Sequence, residues 1–148
     1  MTLIFRSKHL GLHRCLGRVL VICALIAGTY GLIATVTLPA FGGISSETAA
    51  WFFGVLFLFA LLRAFWCVRN KKIALHREWM VRAFAIGLGI GTQRLFLFVL
   101  IPTTGQGLEA VFGSGLWLGF SINLLIAEVW INTSRSEPQN SSQHKHKV

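Results

Sequence analysis

Aspartate is absent from this 148-residue chain, and its five acidic residues, all glutamate, stand against fourteen Lys and Arg. Without Asp there is no Ser-His-Asp set, and Glu78 beside His76 is too little for paired-carboxylate chemistry. Charged residues make up only 13 %, where a soluble domain carries roughly a quarter. The three cysteines, Cys15, Cys23 and Cys67, have no second cysteine at metal or redox spacing, so they are expected to be reduced packing or lipid-side residues. No glycine-rich loop follows a strand-like run. These absences exclude the common soluble-enzyme classes.

What is present is apolar sequence, 54 % of the chain and gathered in long runs. Four stretches approach the roughly 20 residues that cross about 30 Å of hydrocarbon. They run about 19–40, 48–68, 80–101 and 109–131. In lipid each must be helical, because its backbone groups find no water. The first is too long for a signal-peptide core of about 7–15 residues. The expected fold is all-α: a polytopic membrane four-helix bundle over residues 1–131, followed by a disordered polar tail over 132–148. His144 and His146 alternate with lysines there and are expected to be solvated.

Charge sets the expected orientation. Arg6, Lys8, Arg14 and Arg18 precede the first span, Arg69, Lys71, Lys72 and Arg77 lie between the second and third, and Arg135, Lys145 and Lys147 follow the fourth. The other two loops carry no Lys or Arg. This alternation places both termini and the middle loop in the cytoplasm. Trp66, Trp79 and Trp130 then fall at the inner interface and Trp51 at the outer. The net charge of +9 clusters beside apolar runs. That placement suits anionic lipid headgroups better than nucleic acid, which needs a solvated basic face.

Shifting the chain by 63 residues overlays 13–39 on 76–102 with eight identities, among them His13-Arg14 on His76-Arg77, Gly28-Thr29 on Gly91-Thr92 and Pro39 on Pro102. A duplication would make two tandem helical hairpins related by a pseudo-twofold axis along the membrane normal. Chance matching in biased composition is the alternative.

The polar residues gather at one depth. Arg18, Arg82 and Glu128 lie within about one turn of the cytoplasmic edge, Arg63 about a turn inside the end of the second span, and His13 and His76 just outside. Asn123 and Trp79 are nearby. Glu128, unpaired in hydrocarbon, would be costly, so Arg82 or Arg63 is its expected partner. Arg94 differs: it lies about 21 Å along the third helix from Met80. It should face the bundle interior beside Gln93, or reach outward to Glu109. Gly87/Gly91 and Gly115/Gly119 form small-xxx-small faces for helix packing.

Several functions fit these residues. A structural or partner-binding membrane subunit uses the basic layer to hold anionic headgroups, with a membrane-protein partner or a homo-oligomer. An electron-transfer protein would ligate haem b through His13 and His76, with Arg14, Arg18, Arg77 and Arg82 on the propionates, or would bind quinone in the same layer. A small oligomeric transporter would use Arg94 and Glu128.

His13-Arg14-x-x-Gly17-Arg18 opens one helix, and His76-Arg77-x-Trp79-Met80-x-Arg82 opens another. An arginine inside that helix follows at Arg94, and Asn123 precedes Glu128-Val-Trp130 in the last. This set resembles domain of unknown function 2306, a family of bacterial membrane proteins, over about His9 to Ile131. The resemblance implies a bacterial inner-membrane protein and no established activity. Family members often carry a further helix upstream of the first motif, which here lies close to residue 1. A partner supplies it, or the core works without it.

Overall fold

The computed structural model describes the backbone of residues 2–38 and 42–143 and the side chains of 15–38 and 42–135. It contains four helices and, among the described residues, no strand: α1 (Thr2–Thr37), α2 (Gly43–Arg69), α3 (Ile73–Thr104) and α4 (Leu108–Gln143). Each holds a stretch long and apolar enough to cross a membrane: Cys15–Thr37, Gly43–Arg69, Ile73–Thr104 and Leu108–Arg135. The all-α four-helix membrane fold expected from the sequence is what forms.

The helix ends have local causes and move several expected bounds. α1 stops at Thr37 rather than at Ala40, because Pro39 disfavours the helical conformation at Leu38; Pro39 and Ala40 lie outside the described residues. α2 and α3 are joined by a tight turn in which Lys71 takes a left-handed φ of 59°. The Asn70 Nδ2 donates to the Trp66 carbonyl at 2.9 Å, and the Lys72 amide donates to the Cys67 carbonyl at 2.9 Å. The turn is short, so α3 begins at Ile73, one turn and more before the expected span. At its other end α3 runs through Pro102, in its last turn, and the Thr103 and Thr104 hydroxyls donate back to carbonyls of Val99 and Leu100. Gly105, left-handed at φ 65°, ends it. α4 does not stop where the apolar run stops: it continues as helix to Gln143, through most of the segment read as a polar tail.

α2, α3 and α4 form the packed core, and among the described residues α1 lies against α2 alone. One buried cluster joins Ala49 and Phe53 of α2, Ile86 of α3, and Leu116 and Phe120 of α4. A second joins Ala60 and Leu61 of α2 with Ala83 of α3, flanked by Ala24 and Leu25 of α1. Without a hydrophobic drive between helices in lipid, contact relies on small residues that admit close packing. The tightest approach is α3 on α4. A Cβ placed at Gly119 would lie 2.8 Å from both the Gly89 carbonyl oxygen and the Gln93 amide nitrogen, which are backbone atoms that cannot step aside.

The glycine faces are therefore only partly those expected. Gly115 and Gly119 do face α3, meeting Leu97 and Gln93. Gly87 and Gly91 do not face α4: nothing lies within 4 Å of a Cβ at Gly91. The face that α3 turns to α4 is offset by two residues, through Ala85, Gly89, Gln93 and Leu97, all buried. The two hairpins also pack differently. The equivalent rings Phe57 and Phe120 each cover a glycine of the preceding helix, Gly28 and Gly89. The position equivalent to Gly28 is Gly91, however, so the registers differ by two residues.

A bulky side chain at Gly119 must push α3 and α4 apart. Gly119→Val is expected to destabilise the detergent-solubilised protein by about 1–3 kcal/mol. Gly31→Val in α1, where a Cβ meets nothing within 4 Å, serves as the control and should leave the unfolding midpoint nearly unchanged.

Candidate functional site

At the end of the bundle that carries the α2–α3 turn, charge is arranged in two crossed pairs. Glu78 and Arg82 are four apart and so share one face of α3. Glu128 and Arg135 are seven apart and share one face of α4. The helices run antiparallel, and the order of charge along α4 is such that each acid meets a base. Arg82 Nε donates to Glu128 Oε1 at 2.5 Å, and Arg82 Nη2 to Glu128 Oε2 at 3.0 Å. One to two turns further out, Arg135 Nε donates to Glu78 Oε1 at 2.7 Å, and its Nη2 bonds the second carboxylate oxygen. Both are two-pronged guanidinium–carboxylate contacts, which fix geometry as well as charge.

The Arg82 partner of Glu128 was one of two expected from depth. The other, Arg63, stacks instead. Its guanidinium lies 5.2 Å from the Trp66 ring and 5.6 Å from the Trp79 ring. Trp79 also receives Arg82 at 4.8 Å, and Trp66 receives the Lys72 ammonium at 5.7 Å. Cations and indole rings thus alternate from Lys72 through Trp66, Arg63, Trp79 and Arg82 to the Glu128 carboxylate. Each contact contributes about 0.5–2 kcal/mol, more where water is excluded. The spacings Arg63-x-x-Trp66 and Trp79-x-x-Arg82 were the available signal for this chain of contacts.

His76 is half-buried, and its Nδ1 lies 2.8 Å from the Ala64 carbonyl oxygen. A carbonyl can only accept, so Nδ1 carries the proton and Nε2 is left to accept or to ligate. The bond ties the start of α3 to α2. Asn123 makes a partnership not foreseen: its Nδ2 donates to Thr92 Oγ1 at 2.9 Å. Arg18 and Arg77 are exposed. The side chains of His13 and Arg14, and the tail histidines His144 and His146, lie outside the described residues.

Arg94 departs from expectation. It is exposed, because Gln93 takes the interior position (3 % exposed) and the next residue is turned about 100° away. Nor is it joined to Glu109. Among the described residues no group of three or more His, Cys, Asp and Glu is placed to hold a metal ion.

Chemically, the two carboxylates of this layer are both held by arginines. Arg63, Arg69, Lys71, Lys72 and Arg77 have no carboxylate partner among the described residues. The arrangement can bind anions and orient helices, and among the described residues it offers no unengaged acid for proton transfer.

The family described as Predicted membrane protein (DUF2306) matches residues 1–131. Comparison with curated proteins and with solved structures gives no match.

Breaking the inner pair leaves a lone charge. Arg82→Ala or Glu128→Ala should each lower stability in mixed micelles by about 1–3 kcal/mol, and the double Arg82→Leu/Glu128→Leu variant by less than the sum of the single changes. Arg135→Ala, on the more exposed pair, should shift the unfolding midpoint far less than either change at the inner pair.

Proposed function

The chain belongs to the DUF2306 family of membrane proteins, and we propose from its residues that it is a partner-binding membrane subunit seated on anionic lipid headgroups. It sits in a bacterial inner membrane with both ends and the α2–α3 turn in the cytoplasm, the orientation that its Lys and Arg favour. The observation that carries this reading is the charge balance of the basic end among the described residues: two glutamates, each closed by a two-pronged arginine, against cations with no carboxylate partner. Such a surface attracts phosphate-bearing headgroups at about 1 kcal/mol per basic residue. The indole rings of Trp66 and Trp79 hold Arg63 and Lys72 at the interface where those headgroups lie.

A transport path through Arg94 and Glu128 gains no support, since Glu128 is engaged by Arg82 and Arg94 stands on an exposed face. Haem b ligation is the second reading, and one observation favours it: a histidine whose Nδ1–H is held by a backbone carbonyl presents Nε2 in the manner of a metal-ligating imidazole.

Headgroup seating is tested by thermal unfolding in nanodiscs of phosphatidylglycerol and of phosphatidylcholine. The anionic lipid should raise the unfolding temperature by several degrees at low salt. Lys71→Gln, Lys72→Gln and Arg77→Gln together should remove most of that difference. Equal stability in the two lipids would defeat the reading. A reduced-minus-oxidised absorbance spectrum of protein from haem-replete cells decides the second: a b-type band lost in His76→Ala supports it, and a flat spectrum removes it.

A further inference from the structure

The half of the bundle away from the basic layer holds one cation. No Lys or Arg lies between Val19 and Leu62, and between Ala83 and Ser134 the only one is Arg94. Its side chain is exposed and, among the described residues, has no hydrogen bond, ion pair or ring contact. Yet it stands well inside the Ile73–Thr104 span, ten residues, or about 15 Å, from the end of α3. A charged side chain at such depth is expected to have a partner. Among the described residues that partner is missing.

A carboxylate in the same condition lies nearby in depth. Glu47 is half-exposed and also unpaired among the described residues. Contacts with α4 give the levels. Ser46 packs at Gly113 and Phe53 stacks on Phe120, so Glu47 stands level with about Ser114. Gln93 packs at Gly119 and Leu97 at Gly115, so Arg94 stands level with about Leu118. The offset is about four residues, or 6 Å, which an arginine reaching outward covers. Glu109 is about 13 Å beyond Arg94 on the same scale and out of reach.

Each of these groups borders an apolar surface. Beside Arg94, α3 presents Leu95 and Phe98, 71 % and 86 % exposed, and the open backbone at Gly91. One turn from Glu47, α2 presents a shallow apolar groove lined by Trp51, Phe52, Val55, Leu56 and Phe59. We infer that a second copy of this chain docks here, the α3 face of one copy in the α2 groove of the other, with Arg94 of each copy paired to Glu47 of its neighbour. Copies inserted with one orientation keep the depth match. A twofold axis along the membrane normal makes the contact twice, as an isologous dimer requires. Packing α3 on α3 is excluded by the same charges, since Arg94 would then meet Arg94. The inference rests on the partner-binding reading and names its partner.

The test is charge exchange between two chains. Full-length protein, labelled separately with donor and acceptor fluorophores, is reconstituted in dilute vesicles and its energy transfer is measured. Arg94→Glu alone and Glu47→Arg alone should each weaken self-association by about tenfold or more. Mixing the two variants should restore it, because in the mixed dimer every contact again joins opposite charges. Restoration also shows that both variants are folded. The inference is overturned if the wild type is monomeric at every dilution, or if either variant associates as the wild type does. It is also overturned if association returns only when both changes are in one chain, which would make the pair internal. Loss of lipid-dependent stabilisation with dimers intact would instead defeat the headgroup reading and leave this one standing.

Discussion

Everything at the basic end depends on how closely the backbones of α3 and α4 approach at Gly89 and Gly119. Helices in hydrocarbon gain nothing from burying apolar surface that lipid covers equally well. They gain from close packing, and here the absence of two side chains allows backbone to meet backbone. That contact fixes the register of the two helices. Once Gln93 is set against Gly119, Leu97 must meet Gly115 and Arg82 must come level with Glu128, with Glu78 and Arg135 beyond them. The ion pairs then hold the register that the glycines establish. A slip of one turn would separate both pairs at once and leave four charges without partners.

Depth was legible from the sequence and direction around the helix was not. Counting residues from the edge of a span placed Arg82, Arg63 and Glu128 in one layer, and two of them do pair. The same counting could not tell which side of α3 faces α4. The polar residues Thr92, Gln93 and Arg94 are consecutive, so they point three ways. Thr92 meets Asn123, Gln93 is buried, and Arg94 is exposed. The Gly87/Gly91 face was misplaced for that reason too: Ala85/Gly89 and Gly87/Gly91 offer two small-xxx-small choices on α3, and nothing local selects the one used. Arg135 was missed because the apolar run ends before it. Helix α4 continues where hydropathy does not, and Glu78 gives the continuation a partner.

The two hairpins have parted in how they are held. The second is joined by the glycine contact, by two arginine–glutamate pairs and by the Asn123–Thr92 bond. In the first, the positions equivalent to Arg82 and Glu128 are Val19 and Phe65, and no ion pair forms. α1 leans on α2 through Gly28 and Gly54, which accept the side chains of Leu58, Phe57 and Leu32. Among the described residues these contacts are ring and methyl on backbone, and none is polar.

The two ends of the molecule thus solve the problem of charge in lipid differently. At the basic end the two glutamates with described side chains, Glu78 and Glu128, each have an arginine within their own chain, so folding alone satisfies them. At the far end Arg94 and Glu47 are both left open. An arginine at mid-span adds about 2.5–3.5 kcal/mol to the free energy of helix insertion. The twelve Val, Ile, Leu and Phe residues between Val81 and Ile101 offset it, returning about 4–7 kcal/mol on the same scale. α3 can therefore enter the membrane carrying its charge unsatisfied. Among the described residues nothing in the packing of one chain then relieves it, because α4 occupies the interior face of α3 and Gln93 already fills the position that turns inward. In the proposed dimer, a carboxylate at matched depth on an identical neighbour would supply that relief without any further change of fold.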